Sequence, residues 1–157
     1  MATVKIKKVK ENYDFTDRDV TNLLKVAPIM EKHQQEFVDS FYNRTKQFAH
    51  ASEYLKSDEV ITRHKKGLQT WFKKLFSGPF EDDYLLYLEG IGYSHVKVNL
   101  PSHYVNASIT FVRKYCTDLI SKEISNCDER NDMLDSLAKI IDINLDILTS
   151  SLKFLLI

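Results

Sequence analysis

Glycine and proline are scarce. The 157 residues hold 4 Gly and 3 Pro, whereas average usage of roughly 12% would give about 19. Barrels, sandwiches and doubly wound sheets spend those residues on turns, so an all-α fold of long helices with few loops remains. Cysteine is nearly absent: Cys116 and Cys127 form no Cys-x-x-Cys. That excludes a disulfide framework or a cysteine-borne zinc site and makes a reducing cytoplasm the default location. Neither sign of charge is in excess, with 22 basic and 22 acidic residues. A general nucleic-acid binder needs surplus cationic charge, so no nucleic-acid partner is expected. No apolar run approaches the roughly 20 residues that span a bilayer, and Met1 to Lys10 lacks the apolar stretch of a secretory signal. What is present, 43% hydrophobic and 28% charged residues, suits one globular domain over residues 1–157.

Local signals mark out the helices. Thr16 caps a short helix with Val20, Leu23 and Leu24 on its apolar face. Pro28 suits the first turn of a new helix reaching about Lys46, with Ile29, Phe37, Val38, Phe41 and Tyr42 inward. Residues 47–56 read as irregular or a short helical turn. Ser57 caps the next helix, which Gly78-Pro79 stops. Further helices run from Glu81 to about Lys97 and from Pro101 to roughly Ile124, and Asn126 or Asp128 caps the last. That helix carries Leu134, Leu137, Ile141, Leu145, Leu148, Leu152 and Leu155 as a heptad-like seam, with Ile140, Ile143, Ile147 and Phe154 off it. A helix apolar on two sides is covered on two sides, either deep in one domain or by a second copy of the chain, with Ile147 the first choice for an outward residue. The apolar ending Phe154 to Ile157 suggests a piece of a longer protein.

Five histidines are present: His33, His50, His64, His95 and His103. None forms His-Glu-x-x-His, and His33-x-x-Glu36 and His50-x-x-Glu53 run opposite to the order of di-iron carboxylate bundles. No phosphate loop, nucleophile elbow or other catalytic signature occurs, so no enzymatic activity is expected. His64 falls in the stripe Val60, His64, Leu68, Trp71, Leu75, and His95 follows Leu85, Leu88 and Gly92 on the inner face of its helix. Burying an imidazole without a partner costs a few kcal/mol, so each needs a hydrogen bond or a metal. For either alone, a hydrogen-bonded core histidine is the plainer explanation. Two on facing helices, with Tyr42 on a third, also suit the iron of a porphyrin, within a pocket supplied by Phe41, Leu68, Phe72, Leu88, Ile91, Val98, Tyr104 and Ile109. A haem-free aromatic core has the same composition.

Three stretches resemble the globin domain of the globin-coupled sensors, relatives of the protoglobins: Phe37-Val38-Asp39-Ser40-Phe41-Tyr42, the run from His64 to Trp71 with Phe72 and Phe76, and Gly90 to Pro101, where His95 is followed by Lys97 and Pro101. The likeness runs from about Asp14 into the last helix. It implies a globin-like three-over-three helical sandwich with an N-terminal extension and a reduced helix set. It also implies b-type haem on His95, a diatomic gas (oxygen, carbon monoxide or nitric oxide) as ligand with Tyr42 as donor, and a homodimer through the last two helices. In that family the domain regulates a C-terminal signalling module, which these residues do not contain. His64 departs from the leucine common at its position, and a second inward imidazole could take the other axial site. A gas sensor, a bis-histidine redox or electron-transfer protein and a haem-free dimerisation module are the three expectations.

Overall fold

The computed structural model describes residues 5–49 and 51–153, with side chains to residue 150. His50, Phe154, Leu155 and the side chain of Leu152 lie outside the described residues. Eight helices follow in order: α1 (Ile6–Asn12), α2 (Asp17–Lys32), α3 (Gln34–Thr45), α4 (Ala51–Tyr54), α5 (Asp58–Leu75), α6 (Asp82–Lys97), α7 (Ser102–Glu123) and α8 (Cys127–Lys153). Among the described residues there is no strand, and no helix is long and apolar enough to cross a membrane.

The expected caps form. The Asp19 carboxylate accepts from the Thr16 N–H at 2.9 Å, Ser57 Oγ from the Val60 N–H at 3.2 Å, and Asn126 Oδ1 from the Glu129 N–H at 2.9 Å. Each satisfies a donor that the first helical turn leaves free. Asp19 does more than cap. It is buried and also accepts from Ser136 Oγ at 2.7 Å and Lys139 Nζ at 3.2 Å. Burial alone would raise its carboxyl pKa, but the bonds from Ser136, Thr16 and Lys139 outweigh it and hold the pKa below the usual value.

Two expectations need correction. Pro28 lies inside α2 and opens no new helix. The buried stripe Leu23, Val26 and Met30 runs on past it, while Pro28 stays on the exposed side, so packing outweighs the lost hydrogen bond. The break comes at His33, which ends α2 and begins α3. Its imidazole sits 3.6 Å from Glu36 and 3.9 Å from Glu123. Ile147 does not face outward. It is buried, as are Ile140 and Ile143, because α2, α6 and α7 of the same chain all pack on α8. The second apolar side of α8 is therefore covered within one chain. One element had no sequence signal: α1, rich in lysine, docks through buried Ile6, whose N–H donates to Asp82 Oδ1 at 3.0 Å.

Candidate functional site

The inner faces of α3, α5 and α6 bring Tyr42, His64 and His95 towards one another. Tyr42 ends the buried stripe of α3 after Phe37 and Val38. Its hydroxyl is buried with no hydrogen-bond partner, and burial raises its pKa. The Tyr42 and His64 rings lie 5.7 Å apart. His64 is exposed, not turned into the core as its apolar stripe implied, yet the protein around it lowers its pKa by desolvation. His95 is half-buried, and its Nδ1 is buried without a partner. Burial first, then the nearby charge of a protonated His64, pushes its pKa down to about 4. Both imidazoles are thus held neutral near pH 7, the form that ligates metal.

The end of α6 is fixed by a local turn. Asn99 adopts φ 55°, a left-handed conformation that asparagine tolerates. The Leu100 N–H reaches back to the His95 carbonyl at 3.0 Å, and Pro101 then leads into α7. The stretch from Gly90 to Pro101 thus has a physical reason: it ends α6 in a turn that bonds back to the His95 carbonyl.

The apolar candidates divide. Leu68 and Leu88 are buried, and Ile91 and Phe41 half-buried. Phe72 is buried and stacks on Phe37 at 4.0 Å, so it belongs to the α3–α5 core. Ile109 is buried on α7. Val98 is 55% exposed at the end of α6. Tyr104 stacks on Phe48 at 5.3 Å and donates its hydroxyl to the Ala49 carbonyl, pinning the loop before α4. Sequence reasoning missed two cations. Lys65 Nζ lies 4.9 Å and Lys46 Nζ 5.9 Å from the centroid of the Tyr42 ring. On a helical wheel both read as solvated residues; the available signal was that Lys65 directly follows His64.

These groups fit a haem. Among the described residues, no cluster of three or more His, Cys, Asp or Glu could hold a bare metal ion. Two neutral imidazoles on neighbouring helices suit a metal that arrives with its other ligands already in place. The partnerless Nδ1 of His95 and hydroxyl of Tyr42 are buried polar groups that a folded chain rarely leaves unpaired without a role. Among the described residues, no acceptor meets His95 Nδ1. A separate groove of about 260 Å³ between α2 and α5, floored by Met30, Phe72 and Phe76, includes none of the three residues.

Comparison with known proteins places the chain. No curated protein matches it. The globin domain of a Geobacter sulfurreducens globin-coupled sensor is similar in structure, with a TM-score of 0.92 and 33% identity over 96% of this chain and 99% of that one. The globin domain of E. coli DosC, solved in ferric and ferrous forms, shares the fold at a TM-score of 0.78 and 17% identity, over 90% of this chain and 98% of that one. The fold is therefore that of a globin, with α1 as its N-terminal extension. With the Protoglobin family model matched from residue 4 to residue 152, the chain belongs to the protoglobin family, whose globin fold implies a haem.

Proposed function

We propose that this domain holds b-type haem between α5 and α6 and senses a diatomic gas: oxygen, carbon monoxide or nitric oxide. The observation that carries the reading is a pair of buried, partnerless polar atoms, the Tyr42 hydroxyl and His95 Nδ1, on the helices to either side of the one that bears His64. Haem supplies the metal centre at which such gases bind. His95 is the permanent protein ligand. Tyr42 stands as hydrogen-bond donor to a polar ligand. His64 is a displaceable second ligand, supported by its place beside Tyr42, the two rings lying 5.7 Å apart. Because His64 and a gas compete, only the fraction of protein with His64 released is competent, and apparent affinity falls in proportion. Release moves α5, which gives gas arrival a mechanical consequence.

The domain acts as the N-terminal sensor of a longer cytoplasmic signalling protein and pairs as a homodimer through α7 and α8. The half-buried stripe Leu134, Ala138, Leu145 and Thr149 supports that surface. The presence of two histidines on α5 and α6 also favours a second reading, a redox-sensing or electron-transfer haem protein. Absorption spectra in ferric, ferrous and carbon monoxide forms test the proposal. One haem per chain with a carbon monoxide adduct is expected. A purified chain that takes up no haem would overturn both readings and leave a helical interaction module. A haem that binds no carbon monoxide would leave the redox reading.

A further inference from the structure

One polar side chain joins the two helices that bear the histidines. Asn144 is fully buried in the apolar middle of α8, among Ile140, Ile141, Ile143 and Ile147. Its Oδ1 accepts from the Trp71 indole N–H of α5 at 3.0 Å. Its Nδ2 donates to the Tyr84 hydroxyl of α6 at 3.0 Å and to the Ile140 carbonyl at 2.9 Å. Among the described residues, these are the only side-chain hydrogen bonds that tie α5 or α6 to α8, and none joins α5 to α6 directly. Trp71 lies seven residues after His64, about two turns, and Tyr84 eleven residues before His95, about three turns. Each bond therefore grips its helix on the face that carries the imidazole.

We propose that Asn144 is a positioning residue: it fixes α5 against α6 and so sets how readily His64 can reach a metal held by His95. This rests on the haem reading above. With both bonds made, α5 and α6 are held in the arrangement that brings the His64 and His95 faces together, so the tied arrangement is the one that favours His64 as a ligand. An amide able to accept from one helix and donate to the other is the side chain this junction requires. A leucine of similar size fills the space and makes neither bond.

The test uses the haem-loaded chain with carbon monoxide as probe. Loss of a net hydrogen bond, ~1 kcal/mol, corresponds to about a fivefold change in an equilibrium. Carbon monoxide association, limited by release of His64, should therefore quicken about fivefold in Trp71→Phe, which loses one bond, and by at least as much in Asn144→Leu, which loses both. The double variant should be no faster than Asn144→Leu alone, because the bond that Trp71→Phe removes is already lost there. Should Asn144→Leu fail to fold, Trp71→Phe and Tyr84→Phe each cut one arm and carry the test. Trp71 is the only tryptophan, so its single indole N–H resonance reports the bond directly and should shift between ferrous and carbon monoxide forms. A residue that only stabilises the core would leave that resonance in place. If the wild type is six-coordinate but association is unchanged in these variants, the role of Asn144 is overturned while the haem reading stands. Additive effects in the double variant would likewise overturn it, since Trp71 would then act through packing alone. A ferrous wild type without His64 bound would overturn the His64 assignment and this proposal together.

Discussion

Two buried polar clusters sit in the same helical core and differ in one respect. At Asn144, Trp71, Asn144 and Tyr84 hydrogen-bond to one another. At Tyr42 and His95, a hydroxyl and a ring nitrogen are equally buried and have no partner. A satisfied network rigidifies and specifies packing, whereas an unsatisfied one raises the energy of the protein until something else provides the partner. The first cluster thus belongs to the scaffold and the second to the site.

The largest break in this comparison comes from His95→Ala. It should yield mostly haem-free protein, while Asn144→Leu should still bind haem in full. Retention of stoichiometric haem with an unchanged spectrum in His95→Ala would remove that residue from the metal.

Acid should find the site before the scaffold. The folded chain holds His95 near pKa 4, against 6.5 ordinarily. Between those values the unfolded chain binds a proton that the folded chain does not, so stability falls as pH drops from about 6.5 towards 4 and is fully present above that window. The loss should be on the order of 3 kcal/mol. His64, also depressed, acts in the same direction. Urea unfolding of the haem-free protein across this range checks the sign. His95→Leu should flatten the dependence, and an unchanged slope in that variant would assign it elsewhere.

The same substitution at two tyrosines sharpens the contrast. Tyr84→Phe removes a bonded hydroxyl and should cost about 1 kcal/mol, whereas Tyr42→Phe removes a partnerless one and should leave the haem-free protein unchanged or more stable by about that amount. In the haem-loaded protein, Tyr42→Phe should instead speed oxygen dissociation about fivefold, the worth of one net hydrogen bond. Equal destabilisation by both variants would erase the distinction between clusters.

The sequence carried much of this because many of the signals are local. Thr16, Ser57 and Asn126 announce helix starts through side chains that act within one turn, and Pro101 leads into α7. His64 and His95 stood out as polar residues in apolar stripes. What stayed hidden depends on tertiary partners. Pro28 looks like a helix start until Val26 and Met30 are seen packed on either side of it. Ile147 looks outward until α2, α6 and α7 close around α8. The seven residues of α1 have too few apolar side chains to show a period. Asn144 did leave a trace, as a lone amide among four buried isoleucines, but only the fold reveals that Trp71 and Tyr84 meet there.

The ferrous absorption spectrum of the wild type beside His64→Leu tests the central claim most directly, that two imidazoles bind one metal at this site. A six-coordinate low-spin wild type that becomes five-coordinate and high-spin in His64→Leu, with faster carbon monoxide binding, is the predicted result. A wild-type ferrous form already five-coordinate would contradict it and reduce His64 to a neighbour of the ligand.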